Sequence, residues 1–151
     1  MKEPGTRERI VAIIERDPGI NKSGLCERSG LAWGTIHYHL KILQREGRIQ
    51  VLATAWEALH FVAGLPPVEM AWITALREAQ RQELAERIGQ AGGLRASELA
   101  RRLGWSRKVI GRHLTALGRA GVVEKRGERQ AVYNLREGLS SVLARMRGRG
   151  S

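Results

Sequence analysis

The sequence is poor in the residues that mark several classes of protein. It has a single cysteine, Cys26, so no internal disulfide is possible and a Cys-rich zinc module is excluded. Aromatic residues make up only 5%, and no apolar run approaches the ~18 residues of a membrane span. No hydrophobic stretch follows Met1, so a secretory signal is not expected. These absences predict a cytoplasmic protein with no membrane partner.

Acidic residues are also scarce relative to basic ones. The 151 residues contain 26 Lys and Arg against 15 Asp and Glu, a net charge of +11. Residues 1–62 carry nine basic and seven acidic side chains, whereas residues 63–151 carry seventeen and eight. This excess predicts a polyanion as partner, bound mainly by the second half of the chain. The alternative is an Arg-rich surface that only aids solubility.

The chain contains an internal repeat. Residues 7–61 align without gaps on residues 81–135, and core positions and glycines both stay in step. The identical pairs are Arg7/Arg81, Gly19/Gly93, Ser23/Ser97, Leu25/Leu99, Arg28/Arg102, Gly30/Gly104, His39/His113, Leu40/Leu114, Leu43/Leu117, Arg45/Arg119 and Gly47/Gly121. We therefore expect two copies of one small structural unit.

Each copy has the pattern of a helix, a helix-turn-helix and a β-hairpin. Apolar residues at helical spacing predict a first helix that ends at Asp17-Pro18-Gly19, or at Gly92-Gly93 in the second copy. Second helices are predicted over about 22–29 and 96–103, and third helices over about 34–46 and 107–120, with Asn21 and Ser106 as N-caps. Strands are predicted at 48–52 with 59–62 and at 122–125 with 131–135. This order is that of a winged helix.

The predicted fold is mainly α with small β-hairpins (α+β), with two tandem winged helix-turn-helix domains joined by a linker helix. The first domain spans residues 1–65, a linker helix spans 66–80, the second domain spans 81–136, and a C-terminal helix with a frayed tail spans 137–151. Pro66-Pro67 marks the boundary, and no breaker interrupts residues 68–90, so we expect one helix there. The linker and tail helices either pack between domains or protomers, or cover their own domain.

The predicted DNA-binding residues lie on the third helices, opposite the buried stripe. The major groove admits one α-helix, whose exposed face meets base edges and phosphates. In the second copy this face is basic, and the following hairpin has a glycine tip between basic flanks. The candidates there are Ser106, Arg107, Lys108, Arg112, Thr115, Lys125, Arg126 and Arg129.

The first copy offers a less basic candidate surface. Its candidates are Trp33, Thr35, His37, Tyr38 and Lys41. The hairpin tip at residues 53–57 has no basic residue and no glycine, so we expect a protein or intramolecular contact there rather than DNA. Trp33 and Tyr38 either contact bases or face the other domain. The second copy is predicted to bind DNA strongly and the first to assist.

Residues 29–49 and 103–123 resemble prokaryotic winged-helix regulators of the ArsR/MarR-like kind. Both segments have a tight turn, a helix with His-Leu-x-x-Leu, and a glycine before a strand. Over residues 6–62 and 80–136 the chain resembles archaeal transcriptional regulators with tandem winged-helix domains. The resemblance implies DNA contact by Thr35, His37, Tyr38, Lys108 and Arg112. The neutral first hairpin departs from the basic one usual in such families.

Metal-dependent and enzymatic functions have little support. ArsR-like metal sensors use clustered thiolates and imidazoles, but Cys26 stands alone, and His39 and His113 lie beside the core stripe, where structural roles are expected. No phosphate-binding Gly-rich loop, His-Glu-x-x-His or Gly-x-Ser-x-Gly occurs. We predict no catalytic activity, no metal and no cofactor.

The predicted function is a sequence-specific, double-stranded DNA-binding transcriptional regulator, a nucleoid-associated homodimer of an archaeal cytoplasm. The alternatives are a chromosome-architecture or replication-associated DNA-binding protein, a winged-helix protein-interaction adaptor, and an RNA-binding use of the same fold. The sequence does not indicate the operator, the effector or the sign of regulation.

Overall fold

The computed structural model describes residues 5–148. The chain divides into two compact units, one ending at Pro66 and the other spanning Pro67–Arg147. Among the described residues, no helix is long and apolar enough to cross a membrane. Each unit contains the predicted helix-turn-helix and hairpin, which confirms the tandem winged helix-turn-helix architecture.

The first unit consists of three helices and a two-stranded hairpin. Its elements are α1 (Thr6–Arg16), α2 (Lys22–Ser29), α3 (Trp33–Arg45), β1 (Ile49–Ala53) and β2 (Ala58–Val62). The strands are antiparallel, with Ile49 opposite Val62 and Ala53 opposite Ala58. An isolated bridge joins Ile20, before α2, to His60 on β2. One apolar face of each helix meets the same core, which includes Ile10, Ile14, Leu25, Ile36, Leu40 and Leu43.

The turn between α2 and α3 follows from local side-chain and backbone chemistry. The Gly24 N–H donates to the Asn21 side-chain oxygen at 2.8 Å, so Asn21 is the predicted N-cap of α2. Gly30 ends that helix at φ 73°, a left-handed conformation in which a glycine avoids steric strain. The tight turn therefore sets the angle at which α3 leaves α2.

The second unit repeats this plan with an additional strand and two flanking helices. Its elements are α4 (Pro67–Leu76), α5 (Ala79–Ala91), β3 (Leu94–Arg95), α6 (Ala96–Leu103), α7 (Arg107–Arg119), β4 (Val123–Arg126), β5 (Val132–Leu135) and α8 (Leu139–Arg147). The antiparallel sheet has the order β3-β5-β4, and Val123 lies opposite Leu135. The two-residue strand β3 was not predicted, because it is too short to show an alternating pattern.

The flanking helices α4 and α8 pack against each other within the second unit. Trp72 of α4 is buried, and its indole N–H donates to the Gly121 carbonyl oxygen, just after α7, at 3.0 Å. Leu139, Val142, Leu143 and Met146 form the buried face of α8. These contacts match the alternative in which both helices cover their own domain.

The single helix predicted over residues 68–90 is wrong: the segment forms two helices, α4 and α5. Glu78 has extended backbone angles, φ −77° and ψ 123°, and separates them. The break allows α4 to pack against α7 and α8 while α5 packs against α7 and β5. A straight helix cannot follow both surfaces, and no proline or glycine in this segment signals the break.

Candidate nucleic-acid interface

Helix α7 divides sharply into an apolar face and a basic face. Ile110, Leu114 and Leu117 are buried against the second unit's core. Arg107, Lys108, Arg112 and Thr115 are all exposed, as the helical spacing predicts. Burial of the apolar face fixes the helix, so the basic face is presented on a rigid support.

An open hollow of about 470 Å³ runs along the exposed side of α7. Five basic residues line it and no carboxylate does; the basic ones are Arg81, Arg107, Lys108, Arg112 and Arg119. Clustered cations with no local counter-charge produce a strong positive potential, which is what phosphate groups of a nucleic acid require.

The β4–β5 hairpin forms a second basic surface beside the start of α7. Lys125, Arg126 and Arg129 are exposed, as predicted. Gly127 lies at φ 86° in the hairpin tip, so this glycine permits the reversal of the chain. The Glu124 carboxylate lies 3.3 Å from the Arg136 guanidinium and 4.0 Å from that of Arg126. Most of the positive charge of this hairpin therefore faces solvent.

A hollow of about 380 Å³ connects the hairpin to α7. Its lining includes Arg95, Ser97, Arg107, Lys125 and Tyr133, together with Glu128 and Gln130. Because Arg107 lines both this hollow and the one along α7, helix and hairpin form one continuous basic surface.

The two predicted hydroxyl residues have local roles. The Val109 N–H donates to Ser106 Oγ at 3.2 Å, which confirms Ser106 as the N-cap of α7. The Thr115 hydroxyl donates to the Gly111 carbonyl oxygen at 2.9 Å. Their contacts with DNA stay predictions.

His113 is a buried structural residue of α7. Its side chain is 1% exposed, and its Nε2 lies 2.8 Å from the Gln80 side-chain oxygen of α5. Burial lowers the pKa of His113 and favours the neutral imidazole, while the Glu78 carboxylate, 3.7 Å away, acts in the opposite direction. His39 is half-buried, with its ring 5.2 Å from that of Tyr38. Within residues 5–148, no group of three His, Cys, Asp or Glu residues is placed to hold a metal ion.

Helix α3 presents an aromatic rather than a basic face. Trp33 is 56% and Tyr38 61% exposed, and Thr35 and Lys41 are exposed beside them. His37 is half-buried, and its Nδ1 accepts a hydrogen bond from Lys22 at 2.7 Å. The charge of Lys22 lowers the pKa of His37, which keeps the ring neutral and able to accept. His37 therefore positions Lys22 of α2.

The first hairpin has a well-ordered tip without basic residues. The Thr54 hydroxyl donates to the Glu57 carbonyl oxygen at 3.0 Å and accepts from the Glu57 N–H at 3.1 Å. Asn21 donates its side-chain amide to the Glu57 carboxylate at 2.7 Å, which is an intramolecular contact of the kind predicted. Trp56 nevertheless stays 94% exposed.

Two family models match the chain, one on each unit. Residues 5–50 match the winged helix-turn-helix DNA-binding family, and residues 84–125 match the bacterial regulatory protein, arsR family. The chain belongs to the winged helix-turn-helix transcriptional regulators. It is a DNA-binding regulator, as the sequence predicted.

Solved structures with similarity to the regulator include proteins of the same kind. An ArsR-like transcriptional regulator from Rhodococcus sp. RHA1 is 32% identical, with a TM-score of 0.44, over 52% of this chain and 74% of that one. Reduced HlyU from Vibrio cholerae is 27% identical, with a TM-score of 0.45, over 53% of this chain and 82% of that one. No curated protein matches the sequence.

The structure adds three residues of the regulator to the predicted basic surface. Arg81 and Arg119 line the hollow along α7, and Arg95 lines the one beside the hairpin. Arg81 comes from α5, so only tertiary packing brings it to α7. Arg119 continues the exposed row of Lys108, Arg112 and Thr115 at helical spacing, which is the signal that could have identified it.

Proposed function

We propose that the regulator binds double-stranded DNA in a sequence-specific manner, mainly through its second domain. Helix α7 would enter the major groove, which is wide enough for one helix, and the basic hairpin would contact the backbone or minor groove. The observation that carries this proposal is the hollow along α7, where five basic residues meet no carboxylate.

Each basic group has a role that its chemistry suits. Arg107 and Arg112 can form paired hydrogen bonds with guanine, whereas Lys108 suits phosphate as a compact charge. In the hairpin, Lys125, Arg126 and Arg129 provide further charges for phosphates. The α7 residues would determine sequence preference, and the hairpin would add affinity without much preference.

The first domain would assist rather than dominate. Residues 1–62 have a net charge of +2 from nine basic and seven acidic residues, which is too little to hold many phosphates. Thr35, Tyr38 and Lys41 are exposed and available for contact with bases or backbone. His37 is engaged by Lys22, so its own contact with DNA would require that bond to break.

The functional division stays as predicted: residues 1–65 and 81–136 as DNA-contacting domains, 66–80 as a linker and 137–151 as a tail. We further propose a homodimer, since a symmetric pair of subunits would read two half-sites on DNA. A cytoplasmic, nucleoid-associated location and an archaeal origin are parts of the same proposal, as is the absence of catalytic activity.

Selection of bound sequences from a random duplex pool tests the proposal. A regulator enriches one motif, and its affinity for that motif exceeds its affinity for random duplex at every salt concentration. A chromosome-architecture protein would give a steep salt dependence with no enriched motif. An adaptor would not bind duplex, and an RNA-binding protein would prefer RNA; either result would overturn the proposal.

A further inference from the structure

The first domain has a hollow in the place where the second domain has its basic hollow. It lies at the starts of α2 and α3 and the tip of the first hairpin, with a volume of about 370 Å³. Trp33, Trp56, Lys22, Asn21 and Glu57 line it. In the repeat alignment, Asn21 corresponds to Arg95 and Trp33 to Arg107, both of which line the second domain's hollow. The two hollows are therefore copies of one site.

The chemistry of the two copies differs in a consistent direction. Trp33 stands where the second domain has Arg107, Trp56 where it has Gln130, and Glu57 where it has Ala131. The exchange removes two arginines, introduces two indoles and adds a carboxylate. A site for the phosphate backbone has thus become a site for a flat, uncharged ring with hydrogen-bond donors.

The aromatic surface of this hollow is open to a ligand. Trp56 is 94% exposed, and Trp33 is 56% exposed at the start of α3. Folding leaves these two large apolar side chains with most of their surface in water. A nucleobase stacked on an exposed aromatic side chain gains about 1–3 kcal/mol.

Glu57 supplies the hydrogen-bond acceptor that distinguishes one base. Its carboxylate offers about four acceptor positions, and the Asn21 amide uses one at 2.7 Å. Guanine has two neighbouring N–H donors on its pairing edge, which a carboxylate can accept together. Adenine presents an acceptor nitrogen at the corresponding edge, which a carboxylate repels. Guanine is therefore the base that fits.

Lys22 supplies a positive charge at the rim. Its ammonium lies 2.7 Å from His37 Nδ1 and 5.6 Å from the centre of the Trp33 ring, so it is held beside the aromatic surface. A single fixed cation suits the one phosphate of a nucleotide whose base occupies the hollow.

We propose that this hollow, lined by Trp33, Trp56, Glu57 and Lys22, binds the guanine base of an unpaired nucleotide. Stacking on the indoles provides affinity, the carboxylate provides the preference for guanine, and Lys22 contacts the phosphate. The site goes beyond duplex binding by the second domain. Its ligand is either a free guanine nucleotide or a guanine displaced from the stack of a nucleic acid strand.

Calorimetric titration of the full chain with guanosine monophosphate and adenosine monophosphate tests the free-nucleotide source. Fluorescence anisotropy with two short single-stranded oligothymidines, one with a central guanine and one with a central adenine, tests the strand source. Basic residues of the second domain hold both oligonucleotides equally, so a difference between them reports on the base.

We expect a guanine preference of at least about fivefold in one of the two assays, and that assay identifies the source. Trp56→Ala should weaken guanine binding by at least about fivefold, because it removes a stacking surface that supports nothing else. Glu57→Gln should reduce the preference for guanine over adenine. Tyr38→Ala, an exposed aromatic change outside the hollow, is the matched control and should leave both unchanged.

Several results would overturn the proposal. They are equal binding of the two bases in both assays, no binding in either, an unchanged guanine affinity in Trp56→Ala, and an equal loss in Tyr38→Ala. Duplex binding by the α7 variants is a separate measurement, so failure of this site would leave the function proposed for the second domain untouched.

Discussion

Acidification should destabilise each domain through one buried histidine. His60 in the first domain is 2% exposed, and its Nδ1–H donates to the Ile20 carbonyl oxygen at 2.9 Å; His113 in the second is 1% exposed. Burial is the largest cause that lowers the pKa of each residue. Lys22 adds to the effect on His60, whereas Glu78 opposes and Arg81 and Arg112 reinforce that on His113.

The sign and magnitude follow from proton linkage. The unfolded chain binds these protons first, near a pKa of about 6.5, because the folded domains hold the imidazoles neutral. Stability is therefore complete above that pH and falls as the pH drops towards the folded pKa. Each histidine should cost about 1.4 kcal/mol for every pH unit between its two pKa values.

Urea unfolding followed by circular dichroism, from about pH 8 to about pH 5, measures this effect. His60→Gln and His113→Gln should each lower stability at neutral pH and flatten the acid decline, because glutamine does not titrate. Ser106→Ala is the matched control, since it should lower stability by a similar amount at every pH. If both histidine variants declined with pH as steeply as the wild type, the reasoning would be refuted.

Three further predictions concern the second domain. Ser106→Ala should lower the free energy of unfolding by about 1 kcal/mol through loss of the α7 cap, and an unchanged denaturation midpoint would contradict this. Gly93→Ala should destabilise by more than ~1 kcal/mol, because φ is 126° and a Cβ would lie 2.5 Å from Asn134 Oδ1; equal thermal stability would show that the loop adapts. Joint replacement of the hairpin cations by alanine should reduce the salt dependence of duplex binding by about 0.9 per phosphate contact, measured by anisotropy, and an unchanged slope would exclude backbone contact; these cations are Lys125, Arg126 and Arg129.

The repeat made most of the fold predictable. Glycines and apolar positions in step between copies located both helix-turn-helix units, and α2 and α6 have the predicted bounds, Lys22–Ser29 and Ala96–Leu103. These elements were predictable because local signals, caps and left-handed glycines, agree with the apolar periodicity. The break at Glu78 and the strand β3 depend on tertiary packing and sheet pairing, for which the local sequence carries no signal.

The candidate interface was predictable where it lies on one helix face. The exposure of Arg107, Lys108 and Arg112 follows from helical spacing alone. Arg81 joins them only because α5 packs on α7. The bond between Lys22 and His37 joins two helices, so the sequence, which placed His37 at the DNA, gave no sign that Lys22 engages it.

Duplex affinity of two matched triple variants tests the central claim most directly. Arg107, Lys108 and Arg112 are replaced by alanine in one, and the corresponding exposed face of α3, Thr35, Tyr38 and Lys41, in the other. The account predicts that the α7 variant keeps its circular dichroism spectrum and loses duplex binding in a gel-shift titration, while the α3 variant retains most of its affinity. Wild-type affinity in the α7 variant, or an equal loss in the α3 variant, would contradict it.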